Sequence, residues 1–365
     1  MTIIFDGTSG TLSGAALANT QITGVVTNNI NTSSLVTGGV SLGAGNASIM
    51  KNRIINGCMN IAQYGTGSTS VQTTTTYASC DRWATYASVN SKFTVQQNAG
   101  AITPPVGFSN YLGCTSSAAT TLSATDFYVI QQRIEGYNFV DIGYGTANAK
   151  TTTLSAWVYS SLTGTFGGSY GNNTQGYPFT YSIPVANTWT QISITVPGCT
   201  NGSWSSTNGV GLILCFSLGT GTTYSGTAGA WGNSQAFSAT GATSVVGTNG
   251  ATFYITGVQL EVGSSATGFE YRQYGQELSL CQRYYFNQDV SSNDLYGGLY
   301  NASLSRAIIN VPYHVTMRTN PSCTATYGGD ISANAFFGTK DICYVYCNTV
   351  GSAGYLTSFT ASAEL

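Results

Sequence analysis

The sequence predicts an all-β protein, and three observations lead to this fold class. The chain has 365 residues, of which 45 are Gly and 24 are Tyr, and only 7% are charged, so the helix formers Lys and Glu are scarce. Apolar and polar residues alternate in short runs, as they do in strands with one buried face. Clusters of Gly, Asn, Ser and Thr separate these runs, as tight turns do. This pattern is typical of a β-sandwich or jelly roll.

The first element is an extended N-terminal segment, residues 1–50. It contains one short apolar strand, Thr2–Phe5, followed by a polar and nearly uncharged stretch. Such a stretch buries too little apolar surface to offset its own ordering entropy. Apolar side chains still recur between Ile22 and Val40, so we expect the segment to find its packing partners on other chains, as short strands or an extended stalk.

Residues 51–273 carry the clearest strand patterns and predict a central jelly-roll sandwich. Leu154, Ala156 and Val158 share one face of a strand, whereas the run GVGLILCFSLG is apolar on both faces, as in a strand covered on both sides. In TFYITGVQLEVG the alternation changes phase beside Gly257. A phase shift at a glycine predicts a β-bulge.

A short helical joint follows the sandwich, and strands return after it. In GQELSLCQRYYF, Leu278, Cys281 and Tyr285 recur at helical spacing, which predicts a short helix within 274–286. Residues 287–365 return to strands and turns. They form a small C-terminal β-domain or a continuation of the sandwich.

Charge is concentrated around this joint, in GFEYRQYGQELSLCQRYYF. Glu270 and Arg272 alternate on one strand face, and Glu277 is expected to pair with Arg283 or to cap the start of the helix. We interpret these four residues as a structural joint between the sandwich and the helix rather than as a catalytic group.

Composition excludes several partners. Eleven Lys and Arg stand against 13 Asp and Glu, and the basic residues form no patch, so no nucleic-acid partner is expected. No apolar run approaches the roughly 18 residues of a membrane helix, and the N-terminus does not resemble a signal peptide. Nine Cys, an odd number, are expected to be reduced thiols of a protein made in a reducing cytoplasm.

The sequence also lacks the usual catalytic groups, so we expect no enzymatic activity. Its one histidine, His314, lies in a strand-like run, where a structural role is common. GGSYG at 167–171 matches a nucleophile elbow by letter, but without the strand and helix that such an elbow needs. Glycosidases need paired carboxylates, for which Glu261 with Glu270 or Asp126 with Glu135 are candidates, but the structural interpretation of Glu270 and Glu277 as parts of the joint is favoured. One His and no C-x-x-C exclude an ordinary zinc site.

Several sequence blocks resemble bacteriophage tail fibre and receptor-binding proteins. The blocks are NRIINGCMNIAQYGTGS, YASCDRW, TLSAWVYSS, NTWTQISITVPG, GVGLILCFSLGTG, FYITGVQLEVGSSATGFEYRQYGQELSLCQRYYF and VTMRTNP, in this order over about 52–320. The resemblance implies a carbohydrate-binding-module-like jelly roll in a homotrimeric virion protein. It also implies that residues 1–50 attach to other tail or baseplate proteins, while a distal part contacts a glycan or protein receptor on the host surface. Jelly rolls of this kind commonly hold a structural calcium, for which Asp81 or Glu261 could serve; no other cofactor is implied.

Aromatic residues in polar loops are the candidate ligand-binding residues, because sugars are held by aromatic faces together with amide and hydroxyl groups. The candidates are Tyr170, Tyr177, Trp204, Tyr224 and Trp231. An alternative is that these rings pack the loops onto the sandwich or fill a subunit interface. Two other functions remain open: a decoration, baseplate or head-fibre protein without receptor contact, and a polysaccharide depolymerase, for which the chain lacks a β-helix repeat.

Overall fold

The structure is a computed structural model that describes residues 36–37, 40–41, 50–289, 298–301 and 306–365. Within the N-terminal segment it describes one antiparallel hairpin, β1 (Val36–Thr37) and β2 (Val40–Ser41). The predicted strand Thr2–Phe5 and most of the predicted attachment segment lie outside the described residues. Within the described residues, no helix is long and apolar enough to cross a membrane.

Two six-stranded antiparallel sheets form a sandwich, which confirms the all-β prediction. The back sheet contains, in spatial order, β12 (Thr190–Val196), β9 (Thr152–Ser160), β16 (Thr252–Val262), β7 (Leu112–Ser116), β6 (Phe93–Gln97) and β3 (Thr69–Ser70). The front sheet contains β11 (Gly176–Ile183), β10 (Gly164–Gly171), β13 (Val210–Thr220), β8 (Phe127–Glu135), β5 (Trp83–Ala87) and β4 (Thr76–Tyr77). Neighbouring strands are mostly not consecutive in the chain, as in a jelly roll.

The sandwich core is made by alternate residues of both sheets. Leu212, Leu214 and Phe216 of the front sheet and Leu154 and Phe253 of the back sheet are fully buried in it. This explains the alternation in the sequence, because every second side chain of a strand faces the opposite sheet.

The bulge predicted at Gly257 is present. Thr256 pairs with Trp157 and Gln259 with Ser155, so β16 has one extra residue at this point. Gly257 has a φ of 60°, and a Cβ there would lie 2.6 Å from the ring of Phe108. Glycine is therefore required both by the backbone conformation and by the space available.

A long excursion between β13 and β16 covers the outer face of the front sheet. It carries a small parallel pair, β14 (Ser225–Gly226) and β15 (Ser238–Ala239). Phe237 packs against Phe127 of β8, with ring centroids 4.8 Å apart. This cover explains why β13 is apolar on both faces, as the sequence predicted.

The helix and the C-terminal strands follow the sandwich. Helix α1 (Tyr274–Gln282) is shorter than the predicted 274–286, because β17 (Tyr285–Asp289) instead pairs with β21 (Ile342–Ser362). The five-stranded C-terminal sheet also contains β18 (Gly298–Asn301), β19 (Arg306–Pro312) and β20 (Ser322–Gly338). It has its own apolar core, which includes Phe286, Val345 and Phe359.

Candidate functional site

A cleft of about 290 Å³ opens between β11 of the front sheet and the excursion that covers it. Its walls combine one aromatic ring with hydroxyl and amide side chains and with several glycines. The side chains that give it its chemistry are Thr223, Ser225, Thr227, Trp231, Ser234 and Gln235.

Backbone hydrogen bonds fix the two walls of the cleft to each other. The N–H of Gly232 donates to the carbonyl of Gly176 over 2.8 Å, and the reverse bond measures 3.0 Å. The N–H of Gly229 donates to the carbonyl of Pro178 over 2.9 Å. A Cβ at Gly176 would lie 2.6 Å from the carbonyl oxygen of Ser234, so only glycine permits this close approach.

Trp231 is the aromatic residue of the cleft, and its ring is held in place from behind. Its indole Nε1 donates to the carbonyl of Pro197 over 2.8 Å. Its ring lies 5.3 Å from that of Tyr177 and 5.7 Å from that of Tyr144, centroid to centroid. The side chain remains half-buried. A fixed, partly exposed indole offers an apolar surface with little entropy left to lose on binding.

The cleft is uncharged. No Asp, Glu, Lys, Arg or His lines it, whereas its hydroxyl groups can both donate and accept hydrogen bonds. Two of its polar side chains have protein partners at 3.4 Å: Ser225 with Thr240, and Gln235 with Asn173. The arrangement suits a neutral ligand with many hydroxyl groups and an apolar face.

Tyr170 and Tyr177, two of the predicted ligand-binding residues, are buried beneath the cleft. Tyr170 is fully buried and Tyr177 is 6% exposed, which leaves neither ring a face for a ligand. The Tyr170 hydroxyl lies 3.0 Å from the Thr152 hydroxyl, and burial raises its pKa well above the usual range. The prediction that Tyr170 contacts ligand is therefore wrong, since β10 turns this side chain into the core.

Trp204 and Tyr224 pack as the alternative interpretation expected. Trp204 is half-buried and lies 5.1 Å from Tyr144 and 5.9 Å from Trp231, but it does not line the cleft. Tyr224 packs against Phe127 and Phe237, with both centroid distances 5.3 Å. Its neighbours Thr223 and Ser225 line the cleft instead. The predicted residues Trp231 and Tyr224 belong to the loop that lines the cleft, whereas its hydroxyl and amide residues were not predicted; their signal was their position in the same Gly-rich run as Trp231.

The residues predicted to form the joint hold a backbone segment of the sandwich. Arg272 lies 3.1 Å from Glu270 and 3.4 Å from Glu277, and its guanidinium donates to the carbonyl of Ile54 over 3.0 Å. Glu270 accepts the N–H of Asn52 over 2.8 Å. The three side chains therefore tie the approach to α1 to the start of the sandwich, although 268–273 is not a strand.

Arg283 has a different partner from the one predicted. It forms a two-pronged pair with Glu135 of β8, at 2.6 and 3.0 Å, and not with Glu277. The Tyr284 hydroxyl donates to the same carboxylate over 2.6 Å. Of the two roles predicted for Glu277, the pair with Arg283 is wrong, because residues six apart lie on different faces of a helix. Glu277 does lie in the first turn of the helix, but its side chain accepts the N–H of Asn56 instead of capping the helix start.

Asp81 and Glu261, the predicted calcium ligands, are both buried and satisfied by protein donors. Asp81 accepts the backbone N–H and the side-chain amide of Gln63. Glu261 accepts the N–H and the hydroxyl of Thr267 and the amide of Gln259. In the part of the chain that the structure describes, no three His, Cys, Asp or Glu side chains cluster around a metal position. The carboxylate oxygens of Asp81 and Glu261 already accept hydrogen bonds from protein donors. This arrangement does not fit a calcium site, in which the same oxygens would bind the ion.

Ser169 and His314, two residues considered as catalytic candidates in the sequence, both have structural surroundings. Ser169 of GGSYG lies within β10, and its hydroxyl donates to the carbonyl of Ala236. His314 is exposed in the connection between β19 and β20, where its ring packs edge-on against Phe286 at 5.1 Å.

Comparison with known proteins gives distant likenesses. No protein-family model matches the chain, and no curated protein matches it. Among solved structures, the enzymatically active domain of bacteriophage CBA120 tailspike protein 4 is 15% identical over 58% of this chain and 22% of that chain, with a TM-score of 0.32.

Two sugar-binding proteins give similar values. A putative sugar binding protein from Bacteroides thetaiotaomicron is 10% identical over 58% of this chain and all of its own, with a TM-score of 0.33. A family 4 carbohydrate-binding module is 12% identical over 50% of this chain and 95% of its own, with a TM-score of 0.28. Likenesses at this level do not assign a function.

Proposed function

We propose that the protein is a non-enzymatic glycan-binding component of a phage tail fibre and that the sandwich holds a neutral saccharide in the cleft beside Trp231. The cleft itself carries this proposal. Its indole can stack on the C–H face of a sugar, while Thr223, Thr227 and Ser234 present exposed hydroxyls on the same walls. Its volume lies near the lower end of the roughly 300–1,000 Å³ of ligand sites, so we expect about one or two sugar units inside it.

Binding without catalysis follows from the same walls. Glycoside hydrolysis uses two carboxyl groups placed on either side of the scissile bond, and acyl transfer uses a nucleophile with a base. The cleft is lined by no carboxylate, imidazole, amine or thiol. A saccharide held there meets only hydroxyls, an amide and an indole, none of which has a pKa suited to proton transfer near neutral pH.

A glycan array of neutral bacterial polysaccharides tests the binding proposal. The Trp231→Ala variant should lose at least about tenfold in affinity, because it removes the stacking surface. Trp204→Ala is the matched control, since Trp204 packs in the same ring cluster without lining the cleft. Equal losses in the two variants, or unchanged binding by Trp231→Ala, would contradict the proposed site. Absence of any glycan signal for the wild type would contradict the function.

The virion role rests on the resemblance of the sequence blocks, and we propose with it a homotrimer that residues 1–50 attach to tail or baseplate proteins. Light scattering on the full chain and on a chain lacking residues 1–50 measures the assembly. A trimeric mass for the full chain supports the proposal, and a monomer in both cases contradicts it. Purified protein should also compete with phage for adsorption to host cells, which a decoration protein would not do.

A further inference from the structure

Two cysteines of the C-terminal domain meet beside a tyrosine where β20 and β21 begin. Cys323 is half-buried near the start of β20, and Cys343 is fully buried near the start of β21. Tyr313 follows β19, and its hydroxyl lies 3.4 Å from the Cys323 sulfur. The cluster contains none of the residues that line the cleft and none of the joint residues Glu270, Arg272, Glu277 and Arg283.

The strand register brings the two sulfurs together. Gly338, near the end of β20, pairs directly with Cys343 of β21, and paired residues of an antiparallel ladder project to the same face. A Cβ at Gly338 would lie 3.3 Å from the Cys323 sulfur. Because Gly338 has no side chain, the Cys323 sulfur can occupy the space above it. The Cys343 side chain projects to the same face of the sheet, so the two thiols lie next to each other.

The environment also makes the two thiols unequal. Hydrogen bonds from the Cys343 thiol and then from the Tyr313 hydroxyl lower the pKa of Cys323, whereas the adjacent Cys323 and burial raise the pKa of Cys343. Burial raises the pKa of Cys58, the other cysteine that is only partly buried. Because the thiolate is the nucleophile, we expect Cys323 to be more reactive near neutral pH than Cys58.

We propose that Cys323 and Cys343 form a peroxide-reactive dithiol, in which Cys323 attacks the oxidant and Cys343 resolves the product into an intramolecular disulfide. The Cys323 thiolate attacks one oxygen of hydrogen peroxide, the O–O bond breaks, and the sulfenic acid forms as hydroxide leaves and takes up the thiol proton to become water. The Cys343 sulfur then attacks the Cys323 sulfur. The S–O bond breaks, the Cys343 proton leaves with the oxygen, and a second water is released.

The disulfide would fasten the beginnings of the two longest strands of the domain. It closes a loop of about 20 residues, and a cross-link of this length lowers the entropy of the unfolded chain. The oxidised protein is therefore expected to melt several degrees higher than the reduced protein.

Competitive labelling tests the reactivity of Cys323. The full-length, folded protein is pulsed with iodoacetamide near neutral pH, and peptides are quantified by mass spectrometry. Cys323 should react at least about tenfold faster than Cys58, the matched partly buried control, because more of it is thiolate. Equal labelling of the two, or faster labelling of Cys58, would overturn the assignment of the attacking thiol.

Oxidation tests the pair. Hydrogen peroxide should lower the mass of the protein by about 2 Da, with a cross-linked peptide that joins Cys323 to Cys343 and that dithiothreitol releases. In Cys343→Ser, dimedone should trap the sulfenic acid at Cys323; in Cys323→Ser, neither product should form. If either variant does not fold, the cross-linked peptide of the wild type still decides. A disulfide to another cysteine, or sulfinic acid at Cys323 without a disulfide, would overturn the proposal.

Discussion

The charged joint and the cleft beside Trp231 use polar side chains in opposite ways. We define the charged joint as Glu135, Glu270, Arg272, Glu277 and Arg283, whose charges pair with one another and with backbone groups of residues 52–56. The cleft contains no charged side chain, and several of its hydroxyls face solvent.

The difference indicates that the density of charge in the sequence marks a structural site here, and not the proposed binding site. A buried charge is costly unless it is paired and hydrogen-bonded, so a chain with few charges retains them where they hold segments together. A neutral ligand needs hydroxyls and an aromatic face, which a Gly-rich loop supplies without charge. Substitutions at the joint and in the cleft test this contrast, and the buried pair of Glu135 should be the most sensitive position.

Arg283→Ala should have the largest effect on stability. The Glu135 carboxylate is completely buried, and the variant leaves it with only the Tyr284 hydroxyl as a side-chain partner. We expect a loss of about 3 kcal/mol in the free energy of unfolding, measured by urea denaturation.

A second ion pair provides the control for this prediction. Asp141 is paired with Arg53 at 2.7 Å, but its side chain is 50% exposed. The Arg53 side chain is 7% exposed, but it also donates to the carbonyl of Asn138 over 3.1 Å, and Asp141→Asn retains a side-chain oxygen that accepts its hydrogen bond. The variant should therefore cost about 1 kcal/mol or less. Similar losses for Arg283→Ala and Asp141→Asn would contradict the structural role of the buried joint.

The pH dependence of stability should report Asp81, whose backbone carbonyl accepts the side-chain amide of Asn56, the residue whose N–H binds Glu277 of the joint. Burial raises its pKa from 3.8 to about 6, despite hydrogen bonds from Gln63. A carboxyl whose pKa is higher in the folded state than in the unfolded state favours folding when protonated. The stabilisation that protonated Asp81 gives to the folded state is therefore fully present below about pH 4 and is lost as the pH rises through about 6.

A shift of about two pKa units corresponds to roughly 2 kcal/mol or more. Unfolding of the wild type and of Asp81→Asn should be compared between pH 4 and 7. As the pH rises, the wild type should lose stability relative to Asp81→Asn, because only the wild type has an ionisable group at this position. A constant difference over this range would contradict a raised pKa.

Thr227→Ala should have the smallest effect on stability and still affect the proposed ligand. Thr227 is exposed on the cleft wall, so its loss should change the free energy of unfolding by no more than about 0.5 kcal/mol. Loss of one hydrogen bond to a bound glycan should weaken binding about two- to tenfold. Thr180→Ala, an exposed position of β11 that does not line the cleft, should bind as the wild type does. Equal binding by all three proteins would place the glycan elsewhere.

Local signals in the sequence predicted local features of the fold. The phase shift at Gly257 predicted the bulge, and the two apolar faces of β13 predicted a covered strand, because each depends only on neighbouring residues. The Gly-rich loop around Trp231 was identified for the same reason. The helix was predicted too long, since its end depends on the pairing of β17 with a strand far along the chain.

Strand periodicity and turn composition are properties of short segments, so the all-β class, the alternating core and the loop that carries Trp231 could be read from the sequence. Long-range contacts instead set the pair of Arg283 with Glu135, the burial of Tyr170 while Trp231 lines the cleft, and the meeting of Cys323 with Cys343. These outcomes depend on which distant strands become neighbours and in what register. A change of one residue in register turns a side chain to the opposite face of its sheet, and no local pattern encodes that choice.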